Sequence, residues 1–155
     1  MDEWLAAAHA EGVMANLEAA QDIQDRAKRL LTRISHAPHT RTPAPLGAPP
    51  ARITGTLAAS ILAEHDGDDA LVGPTRAASS KNGPYGRFLE MGGVHAAHNP
   101  RGYMSWYEDG AWHRMREVEK AGRPYLEPAT DDAIQSGAIT RIYFDRWLIA
   151  QDMAT

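Results

Sequence analysis

Apolar residues recur every three or four positions through the first part of the chain. Val13, Leu17, Ala20, Ala27, Leu31 and Ile34 fall on one stripe, with Gln24 the single polar member of the row. The spacing predicts one long helix over residues 2–35, within an N-terminal segment 1–36. Asp2, Glu3, Glu11, Glu18, Asp22 and Asp25 lead it and Arg26, Lys28, Arg29 and Arg33 close it, an order that complements the helix dipole. The stripe is narrow and partly alanine, so the helix needs a neighbour to hold it.

The pattern then changes. Between His36 and Pro50 stand five of the ten prolines, which predicts an extended arm over residues 37–50. Residues 51–125 read as a sheet region. Thr54-Gly55 marks a turn, and the stretch to His65 fits a helix or a strand. Asp66-Gly67-Asp68-Asp69 is a turn and Ala70–Gly73 a short strand ending at Pro74, so a hairpin is the economical reading. Tyr85–Met91 is a short helix closed by Gly92-Gly93. Asp109-Gly110 lies between two aromatic runs and predicts a hairpin over residues 102–118. A last helix is expected over residues 126–150, with Ala133, Ile134, Ala138, Ile139, Ile142, Trp147 and Ile149 as its apolar face and Pro128 in its first turn. The expected fold is a single α+β domain over residues 1–155. It comprises a long N-terminal helix, a small antiparallel sheet with hairpins, and a C-terminal helix packed on the sheet.

Composition sharpens this picture. Of 155 residues, 27 are alanine, while Val, Ile, Leu and Phe together number 25. That is little large apolar volume for an independent core, so burial against other copies of the chain is expected. With no cysteine there is no disulfide framework, thiolate metal site or cysteine nucleophile. No run of apolar residues is long enough for a membrane span. The acidic start, Met1-Asp2-Glu3, lacks the basic region of a secretory signal, so synthesis in the cytoplasm is the expectation. A net charge of −4 argues against tight non-specific binding to nucleic acid.

Candidate chemistry is sparse. The pairs His36/His39 and His95/His98 invite a metal reading, but neither is accompanied by the third and fourth ligands a site requires. They leave a small metal-dependent hydrolase or nuclease at His95/His98 as the alternative function. The acidic turn at Asp66 lacks an EF-hand's terminal glutamate, since its twelfth position is Ala77. No nucleophile elbow or phosphate-binding glycine loop is present. The aromatic hairpin says more. Alternation puts Met104 and Trp106 on one face and Tyr103 and Tyr107 on the other, with Arg101, Arg114 and Arg116 nearby. Three readings stand open: internal packing against the terminal helices, a subunit interface built on residue types common at hot spots, and stacking on single-stranded nucleic acid. Residues 81–125 hold seven Lys and Arg against five Asp and Glu, a small surplus for the last of these.

Three separated signatures carry a resemblance. Thr54-Gly55-Thr56-Leu57-Ala58-Ala59-Ser60-Ile61 fits a Thr-Gly-x-Leu-x-x-Ser-Ile pattern, and Tyr85-Gly86-Arg87-Phe88-Leu89-Glu90-Met91-Gly92 fits Tyr-x-x-(Phe or Val)-x-Glu-x-Gly. Pro124-Tyr125-Leu126-Glu127-Pro128-Ala129 fits Pro-(Phe or Tyr)-Leu-x-Pro-Ala before the final helix. In this order the chain resembles the phage tail-component family typified by the tenth gene product of the HK97 virus. It departs from that family in the stretch of about thirty residues between Gly92 and Pro124, which is longer than usual and contains the aromatic hairpin.

The resemblance implies a non-enzymatic virion protein without cofactors, located at the head–tail neck. It would form a six-fold ring between the capsid connector or stopper protein and the tail tube protein, with genomic DNA passing an acidic lumen without specific binding. Trp106, Tyr107, Trp112, Arg114, Arg116, Glu90 and Arg87 are the candidate contact residues. Backbone geometry does not demand a carboxylate at Glu90, whose partner is expected to be Arg87 or a neighbouring subunit's arginine, unless it stands exposed and unpaired.

Overall fold

The computed structural model describes residues 2–37, 44–45, 48–52, 54–75, 85–97, 101–108 and 110–153, with backbone only at residues 2, 85, 95 and 106–108. The long apolar repeat forms α1 (Asp2–Thr32), followed by α2 (Thr56–Ser60), β1 (Ile61–Asp66), β2 (Asp69–Pro74) and α3 (Tyr85–Met91). Four strands come next, β3 (Gly92–Ala96), β4 (Met104–Glu108), β5 (Ala111–Met115) and β6 (Glu117–Ala121). The chain ends in α4 (Leu126–Gln135) and α5 (Ala138–Asp152). The fold is α+β.

α1 is the spine, covered on two sides within the chain. The stripe that the sequence spacing predicts, through Ala20, Gln24, Ala27 and Leu31, faces the β1–β2 hairpin. Ala27 and Leu31 are buried there, and the Gln24 side-chain oxygen accepts the Ala63 N–H at 2.7 Å. That is why a glutamine sits in an apolar row: it satisfies an amide the strand would otherwise leave unpaired. On its other side α1 meets α4 and α5, which run back along it antiparallel. Arg26 is bonded to Asp132, Asn16 to Tyr143, and Arg146 to both Glu18 at 2.9 Å and Glu11 at 3.1 Å. The helix therefore finds its neighbours in its own chain.

Where one C-terminal helix is expected over residues 126–150, there are two. Gly137 adopts φ +73 between α4 and α5, a left-handed conformation that breaks the helix at low cost only at glycine. The pair packs chiefly on α1. The break also rotates the apolar positions. Ala129, Ala133 and Ala150 are buried, whereas Ile134, Trp147 and Ile149 of the predicted apolar face are 59, 47 and 42% exposed.

The segment read as helix or strand is both. Gly55 (φ +83) opens the single turn of α2, and β1 begins directly after it. β1 and β2 pair antiparallel from Ile61↔Pro74 to Asp66↔Asp69, with the acidic residues at the tip. The Pro-rich segment is not a free arm at its ends. Ile34 and His36 bond to the backbone of Arg52, and Ala44 is buried with its carbonyl accepting from the Arg123 guanidinium at 2.7 Å. Residues 38–43 and 46–47 of that segment lie outside the described ones.

Candidate functional site

The three signatures that carried the resemblance meet in space. Ala58 and Ile61 from the first and Tyr125 and Ala129 from the third form one buried cluster with Ala27 and Leu31 of α1, and Leu57, Leu89 and Leu126 pack around it. Leu89 brings in the second signature, and Glu90 fastens it. The Glu90 carboxylate accepts the backbone N–H groups of Tyr125 at 2.8 Å, Leu126 at 3.1 Å and Glu127 at 2.9 Å. These are the first amides of α4, which no side chain of its own N-cap satisfies. Glu90 thus caps a helix thirty-six residues downstream, where negative charge also meets the positive end of the helix dipole. The expected arginine partner is corrected by this geometry.

Tyr125 completes the junction. Its ring is fully buried and its hydroxyl donates to the Gly86 carbonyl at 3.2 Å. Burial, reinforced by the charge of Glu90, pushes its pKa well above the ordinary value of 10. Gly86 has to be a glycine here, because a Cβ would lie 2.5 Å from Pro74 and 3.0 Å from the Tyr125 hydroxyl. Gly92 sits at φ +68 against the backbone of Gly122, where a Cβ would come within 2.4 Å of it. The residues at this junction are therefore occupied with holding the fold.

What the core leaves outside is a ribbon. β3 pairs with β6 from Gly92↔Ala121 to Ala96↔Glu117, and β4 pairs with β5 from Met104↔Met115 to Glu108↔Ala111. The two ladders are nested in one excursion of the chain. The descending side runs from Ala111 to Ala121 with Arg116 as its single intervening residue, while the ascending side inserts residues 97–103. Ala97 donates to the Arg116 carbonyl at 2.9 Å and bridges the ladders. Arg116 forms a bend between the two ladders, and each five-residue ladder is about 17 Å long at about 3.4 Å per residue.

Every residue of β5 is exposed, Trp112 at 72% and Met115 at 52%. Among the described residues, β4 and β5 make their extended contacts with each other. Internal packing of β5 against the terminal helices, one of the three readings, is not what the chain does. The register places Trp106 opposite His113 and Tyr107 opposite Trp112; the side chains of Trp106 and Tyr107 lie outside the described ones. Arg114 stacks over the Tyr103 ring at 4.9 Å, and Arg116 and Arg87 are exposed. The structure brings Arg114, Arg116 and Trp112 onto the ribbon, and leaves Glu90 and Arg87 on the body.

A second exposed surface is one the sequence does not announce. The outer side of α5 carries Phe144 (55%), Trp147 and Leu148 (40%), with the Phe144 and Trp147 rings 6.0 Å apart. Apolar residues on both sides of α5 blur its periodicity, which is why spacing assigns the exposed Trp147 and Ile149 to the inner face. Contiguous exposed aromatics of this kind mark contact surfaces.

Among the described residues no group of three or more His, Asp or Glu is placed to hold a metal; His39 and His98, and the His95 side chain, lie outside them. Nor is any helix among them long and apolar enough to cross a membrane. Comparison with protein-family models, curated proteins and solved structures gave no match.

Proposed function

We propose that this chain is a non-enzymatic assembly subunit of a tailed phage particle, forming a homo-oligomeric ring at the head–tail junction as a tail-completion or neck protein. The observation that carries the reading is the convergence of three dispersed signatures on one small core, with Glu90 of the second capping the helix that the third begins. Motifs that serve the fold leave the contact work to other surfaces. Here those surfaces are the exposed ribbon and the outer face of α5, both rich in residue types that dominate interfaces. Ring closure uses a heterologous contact, for which two different surfaces on one chain are the requirement.

In this reading the ring meets the capsid connector or stopper on one side and the tail tube on the other, and DNA passes through without specific binding. Electron microscopy of particles carrying a tagged copy tests it. Density for the tag at the neck is the expected result; absence of the protein from particles would overturn the reading.

A further inference from the structure

Charge is sorted along this chain to an unusual degree. The first 25 residues contain six carboxylates and no Lys or Arg, whereas residues 26–63 contain six Lys and Arg and no carboxylate. Among the described residues the two blocks touch at their boundary, where Arg26 bonds Asp22, and their far ends are kept apart. The acidic β1–β2 turn lies beside the first half of α1, with Asp68 accepting from the Asn16 side chain at its carbonyl and contacting His9 at 3.1 Å. The basic block ends α1 and returns beside it through Arg52, which is bonded to Ile34 and His36. From Asn16 to Arg29 the separation along the helix is about 20 Å.

At the basic end, α1 and α4 enclose a cleft of about 500 Å³. Arg26, Arg29, Arg33 and one carboxylate, Asp132, line it over a floor of Leu30, Pro128 and Ala129. Arg26 is held by Asp22 and Asp132. Arg29 and Arg33, one turn apart, are exposed, and among the described residues neither guanidinium has a hydrogen-bond or ion-pair partner. Two such forks over an apolar floor suit carboxylates, which arginine binds in bidentate geometry.

We infer that this cleft receives the acidic β1–β2 turn, Asp66 to Asp69, of another copy of the same chain. The turn is exposed at every residue and presents Asp66, Asp68 and Asp69 at the tip of a hairpin. Because cleft and turn lie at different ends of α1, the contact is heterologous: each copy offers both halves, and association propagates from copy to copy. A nucleic-acid phosphate has matching chemistry for the cleft, but the same molecule carries the acidic turn and α1 start that would repel it. The inference rests on the self-assembly reading above and adds a charged contact to the ribbon and α5 faces named there.

Sedimentation velocity on the full chain tests it, with Arg29→Glu/Arg33→Glu and Asp66→Lys/Asp69→Lys variants compared at low and high salt. Each variant alone is expected to associate about ten-fold more weakly or worse, and wild-type association is expected to fall as salt rises. An equimolar mixture of the two variants is expected to restore association, because each reversed surface then meets a complementary one. Helical content and thermal unfolding verify that the variants fold, and Arg29→Gln/Arg33→Gln substitutes if the glutamates disturb the end of α1.

Folded variants that associate like the wild type, or a mixture that fails to recover, would overturn the inference while leaving self-assembly standing. It is overturned in the same way if Arg29 and Arg33 are needed for binding a DNA oligonucleotide but not for self-association. A wild-type chain that stays monomeric throughout would overturn both readings.

Discussion

The carboxylate of Glu90, at the end of α3, accepts the backbone N–H of Tyr125 at 2.8 Å and those of the two residues that follow. One side chain thereby ties two segments thirty-five residues apart and lets the whole ribbon between them leave the body without loosening it. Glu90→Ala leaves three amides without their acceptor. It is expected to cost about 2 to 3 kcal/mol in urea unfolding, and Glu90→Gln, which keeps an oxygen, about half of that. Wild-type stability in the alanine variant would contradict the capping role.

Tyr125 supplies a pH test. Its folded pKa is raised above the unfolded value, so its contribution is fully present below about pH 10 and is lost as pH rises beyond that, when the unfolded chain ionises more readily. The wild type is expected to lose stability progressively above about pH 10. Tyr125→Phe is expected to be less stable by about 1 kcal/mol near neutrality but to lack the Tyr125 share of the alkaline loss. Equal alkaline slopes for the two proteins would count against a buried, neutral Tyr125.

Much of this architecture is legible in the sequence, and the misses have physical causes. The α1 repeat, the Asp66 turn and the Asp109-Gly110 hairpin are local signals, and each appears where the pattern puts it. β6 is not legible. Glu117 and Val118 fall at the end of the predicted 102–118 hairpin, but Glu117–Ala121 is a strand paired with Gly92–Ala96, a contact that spacing along the chain does not announce. Gly137 reads as one tolerated glycine in a helical pattern. The role of Glu90 is legible only as an anomaly, a carboxylate not required by its own helix; its partners are backbone amides, which leave no trace in sequence. The contact surfaces are half legible: the ribbon through its aromatics, the α5 face not at all.

The orientation of α5 is open to a paired substitution. Leu148→Lys lies on the outward side and is expected to change thermal stability by no more than about 0.5 kcal/mol. Ala150→Leu places a larger side chain where Ala150 is 1% exposed, and is expected to cost about 1 to 3 kcal/mol through overpacking. The reverse ranking would mean that α5 is rotated from the position described.

The ribbon is expected to separate folding from assembly. Trp112→Ala and Met115→Ser remove exposed side chains and should shift unfolding by less than about 1 kcal/mol while reducing incorporation into particles. A large loss of monomer stability with assembly unchanged would return the ribbon to the interior of the fold.

The most direct test of the assembly reading is the mass of the purified full chain in solution at high protein concentration, measured by sedimentation equilibrium. The account predicts one closed species at a fixed multiple of 16.9 kDa, with six as the expected multiple, in equilibrium with little else. A strict 16.9 kDa monomer across the concentration range would contradict it.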